Sequence, residues 1–139
     1  MNFDEAKEKA VRYLVLQLRT EEEVKNKLKK IDVQEDIIIE VTEYLKSIGY
    51  IDDVKYIEAY LRQCISIPKY SVYEIKMKLK QKGISKSLLS EKLKEFDSYN
   101  YEKALVNKLL NGKLKNMESL KQKAYLYRRG FNISNMYDE

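Results

Sequence analysis

Cations recur in three stretches of this chain: Lys25, Lys27, Lys29 and Lys30, then Lys76, Lys78, Lys80 and Lys82, then Lys121, Lys123, Arg128 and Arg129. Ammonium and guanidinium groups in such numbers do one kind of chemistry, ion pairing with phosphates or with acidic protein surface. A single lysine of this kind is ordinarily part of a solvated helix face, its stem covering the edge of the core. Three equivalent sets mean more, because stacked units would align them into a basic track. The candidate contact residues are Lys25, Lys29, Lys76, Lys80, Lys123, Arg128 and Arg129. Arg62 and Tyr73 are secondary choices, and Arg19, a cation complementing the end of a first helix, is a further candidate.

Other chemistries are poorly served. Histidine is absent and Cys64 stands alone, so the commonest general base is missing and no zinc site can be assembled from thiolates. Cys64 lies in an apolar helical stripe and reads as core packing in a reducing compartment. The adjacent acids Asp52 and Asp53 follow a glycine and precede a helical stripe, which is where capping places carboxylates. No glycine-rich phosphate loop is present. The expectation is a protein that is not an enzyme and uses no cofactor or metal.

Tyrosine is abundant, twelve against three Phe and no Trp, and its ring suits a rim with one end apolar and the other wet. Tyr13, Tyr44, Tyr56, Tyr60 and Tyr127 read as half-buried packing residues. Tyr70 and Tyr73, beside Pro68 at a helix start, read as exposed contacts.

The elements that must position these groups announce themselves by repetition. Thr20-Glu21-Glu22-Glu23-Val24-x-x-x-Leu28 returns 51 residues later as Ser71-Val72-Tyr73-Glu74-Ile75-x-x-x-Leu79. A hydroxyl residue followed three positions on by Glu is a capping box, which marks a helix start. Around these two starts the apolar stripes fall into sets. The first unit reads Phe3, Ala6, Ala10, Leu14 and Leu18, then Val24, Leu28 and Ile31, then Ile37, Val41, Leu45 and Ile48, closed by Gly49. The second reads Val54, Ile57, Leu61 and Cys64, then Ile75 and Leu79, closed by Gly83, then Ile84, Leu88, Leu89, Leu93 and Phe96. The third reads Tyr101, Ala104, Leu105 and Leu109, then Met117, Leu120, Ala124 and Tyr127, closed by Gly130. There Asn116 is the expected cap, in a helix about two residues longer than its counterpart. A short last helix is left with Ile133 and Met136.

Period-two alternation is absent, so no strands are expected. The predicted fold is all-α: tandem three-helix repeats spanning 1–51, 52–97 and 98–139, about nine helices in an elongated, curved body. A single larger bundle is the alternative. With 27 basic and 22 acidic residues the net charge of +5 is modest and mixed, so contact with a phosphate backbone is allowed without being compelled. No apolar run approaches the ~20 residues that span a bilayer, and the start lacks the blocks of a signal peptide. A cytoplasmic monomer is expected, with no membrane association.

Four runs, in order, carry a resemblance to a known family: Arg19-Thr20-Glu21-x-Glu23-Val24-x-x-Lys27-Leu28; Leu45-x-x-x-Gly49-Tyr50-Ile51-Asp52-Asp53-x-x-Tyr56; Ile75-x-x-x-Leu79-x-x-Lys82-Gly83-Ile84; and Leu126-x-x-Arg129-Gly130-Phe131. Together they resemble the bacterial regulatory protein family RecX, over nearly the whole chain. The resemblance implies tandem three-helix repeats. It also implies a modulator of the RecA recombinase that lodges in the groove of the RecA filament on single-stranded DNA and lowers ATP hydrolysis, strand exchange and co-protease activity. Asp32 and Ser71 stand where the family often has glycine, and Glu74 where a basic residue is frequent. Asp tolerates left-handed geometry and Ser caps well, so the first two changes suit helix termini.

Two further function classes compete with a RecA regulator. An autonomous DNA-binding helical module would bind DNA alone with steep salt dependence. A structural helical adaptor would co-purify with an unrelated protein.

Overall fold

The computed structural model describes residues 1–133 and is helical throughout them, with eight helices and no strand. In order they are α1 (Phe3–Leu16), α2 (Glu21–Lys30), α3 (Glu35–Ser47), α4 (Asp53–Ser66), α5 (Val72–Gln81), α6 (Lys86–Lys94), α7 (Ser98–Leu110) and α8 (Ser119–Arg128). The ninth helix expected on Ile133 and Met136 lies outside the described residues, except for Ile133 itself.

Local chemistry sets most helix ends. Asn2, Thr20 and Ser71 each close a capping box with the Glu three positions on, while Asp52, Ser85 and Asp97 cap by accepting a single backbone amide. Gly49, Gly83 and Gly130 end helices at positive φ. Asp32 is the non-glycine residue that does so, at φ 63, tolerable because its short polar side chain suits left-handed backbone.

The core is divided rather than shared. Ala6, Ala10, Val24, Leu28, Ile38, Val41 and Leu45 fill a first cluster between α1, α2 and α3. Ile57, Leu61, Cys64, Ile75, Leu79, Leu89 and Leu93 fill a second between α4, α5 and α6. Leu105, Val106, Leu114, Leu126 and Phe131 fill a third around α7 and α8. Segregated clusters of this kind are what a repeat array produces, because each unit buries its own apolar faces.

Several expectations need correction. Leu18 and Ile48 are exposed, and Ile38 replaces Ile37 at the buried position of α3. Asn116 is not the cap of α8: Glu118 is, without a side-chain hydrogen bond. Nor is α8 longer than α5, since both have 10 residues. Its buried face is also not the predicted one. Leu120 is 79% exposed and Tyr127 74% exposed, whereas Leu126 is fully buried. Gly130 lies 47 residues after Gly83, and that offset carries Ser71 onto Glu118 and Leu79 onto Leu126. The capping propensity of Asn116 points to a register two residues early, and with it to the opposite face of the helix.

Candidate functional site

Two junctions hold the units in line, and both use the same atoms. The Thr20 hydroxyl accepts the Glu23 amide of its own helix at 3.1 Å and donates to the Lys82 carbonyl, at the end of α5, at 2.6 Å. The Ser71 hydroxyl accepts the Glu74 amide at 3.1 Å and donates to the Arg129 carbonyl, at the end of α8, at 2.6 Å. A helix start leaves amides unpaired and a helix end leaves carbonyls unpaired. A hydroxyl is both acceptor and donor, so one buried atom serves both ends. Asp or Asn caps well but lacks a hydroxyl that can complete this bridge.

Charge repeats the pattern. Glu23 meets Lys82 at 3.3 Å, and Glu74 meets Arg129 at 2.8 Å. A carboxylate from the following unit also accepts the first backbone amide of each middle helix: Asp53 from Glu21 at 2.9 Å, and Glu102 from Val72 at 2.7 Å. Gly83 lies against Glu22, and Gly130 against Tyr73, so closely that an added Cβ would come within 2.2 Å and 2.6 Å of their Cβ atoms. The start of α2 therefore meets the end of α5, and the start of α5 meets the end of α8. Opposite ends of the helix dipoles face each other at each contact.

Burial pushes the Glu74 carboxyl up, but the hydrogen bonds from Arg129 and Ser71 outweigh it and hold the group below its ordinary range. Glu21 is likewise burdened by burial and nevertheless lowered, through Lys25 and Lys46. Asp53 is raised by burial, which its hydrogen bond from the Glu21 amide only partly offsets.

End-to-end contact of the middle helices puts Lys25, Lys76 and Lys123 at equivalent positions, 51 and then 47 residues apart. The three do not have equal surroundings. Lys25 is held by Glu21 at 2.9 Å, and Lys46 reaches the same carboxylate at 3.0 Å. In the second unit Val72 occupies the position of Glu21, and Lys76 is exposed.

Around Lys76 lies a strongly cationic groove of about 380 Å³, lined by Lys76, Lys80, Lys86 and Lys94 with Ser90 and Ser98. None of the four lysines forms a salt bridge among the described residues. An adjoining hollow of about 380 Å³ shares Val72, Lys76 and Ser98 and adds Tyr73 and Tyr99 at its rim. Unpaired ammonium groups beside hydroxyls and exposed phenol rings can take phosphates and stack planar groups.

Of the candidate residues, the structure brings Tyr73, Lys76 and Lys80 together here. Lys29, Lys123 and Arg128 are exposed on the flanking middle helices. Arg62 lies elsewhere, in a hollow shared with Glu58, Glu95 and Lys92. Arg19 stacks on Tyr13, its guanidinium 4.0 Å from the ring centroid. Arg129 is committed to the junction: besides Glu74, it donates to the Lys69 carbonyl and to the Tyr125 hydroxyl. Lys86, Lys94 and Tyr99 were not among the sequence candidates. The signal for the two lysines is their place beside Leu89 and Leu93 on α6, outside the lysine-rich middle helices.

Fold and site together define an all-helical protein with a basic groove beside a tyrosine-rimmed hollow. Its sequence matches the model of the first three-helix domain of RecX over residues 6–45, and that of the second over residues 52–93. The chain belongs to the RecX family.

Regulatory protein RecX of Streptococcus pneumoniae strain Hungary19A-6 is 39% identical over 108 residues, covering 78% of this chain and 42% of the relative. The protein of the same name from strain ATCC 700669 / Spain 23F-1 is 38% identical over the same length. The chain thus spans less than half the length of these curated relatives. Among solved structures, RecX from Lactobacillus salivarius superposes with a TM-score of 0.80 at 29% identity, covering 93% of this chain and 88% of that one. Another crystal structure of regulatory protein RecX gives 0.79 at 28% identity, covering 99% and 72%.

Proposed function

We propose that this chain regulates the RecA recombinase in the cytoplasm by docking on the filament that RecA forms on single-stranded DNA, inhibiting ATP hydrolysis, strand exchange and co-protease activity without catalysing a reaction. The observation that supports this reading is the α5–α6 groove, whose four unpaired lysines sit midway along a set of end-to-end middle helices. Phosphates or acidic side chains bind the groove, and the lysine positions of the flanking units add weaker contacts. Contacts on one chain gain from the high effective concentration that linkage provides. Division into units 1–51, 52–97 and 98–139, in an elongated body acting as a monomer, suits a partner whose surface also repeats.

The test is the single-stranded-DNA-dependent ATPase of RecA, which substoichiometric protein should lower. No inhibition at a large molar excess rejects the proposal. The rival, an autonomous DNA-binding module, is favoured by the same lysines but opposed by the acids interleaved with them. A filter-binding titration at two salt concentrations, with and without RecA, separates the two. Tight, steeply salt-dependent binding without RecA supports the rival.

A further inference from the structure

The groove between α5 and α6 and the hollow beside it share Val72, Lys76 and Ser98, so they form one continuous depression with two unlike halves. One half is cationic, with Lys80, Lys86 and Lys94 around Ser90. The other is aromatic: Tyr73 is 56% exposed and Tyr99 47% exposed, and neither ring belongs to a core cluster. Lining the aromatic half is Glu102, 5% exposed, whose carboxylate oxygens accept the Val72 amide at 2.7 Å and the Asn132 amide at 3.2 Å. A buried negative charge there repels phosphates from the hollow, while the lysines attract them into the groove. The depression therefore has a direction.

We propose that it is a site for one nucleoside polyphosphate, with the phosphate chain among Lys76, Lys80, Lys86 and Lys94 and the base against Tyr73 and Tyr99. Each half, at about 380 Å³, falls within the range of small-molecule sites. The inference goes beyond the docking proposed above, because it requires only the chain and the nucleotide.

What the neighbouring units hold at the same positions favours a compact ligand over a polymeric strand. The offset of 51 residues carries Lys86 and Lys94 onto Glu35 and Glu43 of α3, both exposed, and Ser90 onto Ile39. The offset of 47 carries Lys80 onto Tyr127, Tyr73 onto Leu120 and Lys86 onto Ile133. A strand leaving the groove along the array meets carboxylates mixed with lysines in one direction, and phenolic or apolar groups in the other. The cationic stretch is as long as α5, 10 residues or about 15 Å. It ends within its own unit.

Isothermal titration calorimetry of the chain with ATP, AMP and inorganic tripolyphosphate, without magnesium, tests the site. One ATP should bind per chain, about tenfold or more tighter than AMP, whose single phosphate leaves most of the lysines unused. ATP should also bind about fivefold or more tighter than tripolyphosphate, the low end of what stacking one base contributes. Tyr99→Ala should remove this second preference while tripolyphosphate binding stays unchanged, and Tyr99→Phe should keep it. Lys86→Ala with Lys94→Ala should reduce the preference for ATP over AMP to a few-fold or less. Both lysines are exposed, so helicity by circular dichroism should persist.

A second basic hollow, at Lys9, Arg12, Tyr13 and Lys27, serves as the control. There Arg12 is paired with Glu8 at 2.7 Å, and the Arg19 guanidinium covers the Tyr13 ring. Lys9→Ala with Arg12→Ala should therefore leave ATP binding as it was. The proposal is overturned by no ATP binding up to about 1 mM, whether or not a single-stranded oligonucleotide binds. Tripolyphosphate binding as tightly as ATP, or equal losses from the α6 and control variants, would overturn it as well.

Discussion

The first and second units share a fold, a capping box and a junction, yet at the equivalent lysine of the middle helix the second presents a charge that the first pairs internally. The difference begins at one position. Glu21 in the first unit lies one turn before Lys25 and pairs with it, while Val72 in the second lies one turn before Lys76 and cannot. Lysine number alone does not make a binding surface. The acid four residues upstream decides whether the charge is spent within the helix or presented to a partner.

Reversing the presented charge should break this contrast most strongly. Lys76→Glu with Lys80→Glu should weaken inhibition of the RecA ATPase by tenfold or more, equivalent to about 1.4 kcal/mol or above. Reversal at Lys25 and Lys29 should cost clearly less. Equal losses from the two pairs would mean that the groove has no special part.

Next in size are the junctions, which should respond alike in both units. Ser71→Ala removes a buried hydroxyl that serves two helices and leaves the Arg129 carbonyl unpaired. It should destabilise by about 1–3 kcal/mol, and Thr20→Val by a similar amount, both measured by urea unfolding. A loss confined to one of them would show that the two junctions are not equivalent.

Acid should act on the second junction through Glu74. Its carboxyl is lowered in the folded protein, so its contribution is fully present above the unfolded-state value near 4.5 and fades as pH falls through the depressed folded-state value. Glu74→Gln should therefore flatten the acid limb of stability against pH while lowering stability at neutral pH. An unchanged acid limb would remove the Arg129 pair from the account.

The smallest expected effects exchange the two units' characters. Val72→Glu should give Lys76 an intrahelical partner and weaken binding a few-fold, whereas Glu21→Val should release Lys25 and strengthen it about twofold, in keeping with the modest energies of exposed ion pairs. If the exchange leaves affinity to the partner unmoved, the upstream acid is not what separates the units.

Much of the fold was legible from the chain because its determinants are local. The capping boxes at Thr20 and Ser71 and the glycine stops at Gly49, Gly83 and Gly130 each involve residues a few positions apart, and the apolar stripes of the first two units mostly point where periodicity places them. The failure at α8 was also local. Its stripe of Met117, Leu120, Ala124 and Tyr127 is as regular as any other, so periodicity could not disclose that Leu126 and Tyr125 face inward instead. The glycine-to-glycine offset of 47 residues carried that information.

The candidate site was less legible. A lysine looks the same in sequence whether its partner is a carboxylate one turn away, a backbone carbonyl from another unit, or solvent. Arg129 and Lys76 were thus ranked together, although one binds the junction and the other lines the groove.

By itself, then, the chain determined its helices, their ends and their tandem order, since capping, left-handed turns and helical periodicity are settled within a few residues. Only the tertiary structure decided that Thr20 and Ser71 each reach a second helix end, that α8 turns its regular stripe outward, and that α6 brings Lys86 and Lys94 to face α5. Those outcomes depend on groups 30 to 62 residues apart meeting within 3 Å, and no local rule encodes which distant carbonyl a hydroxyl will find.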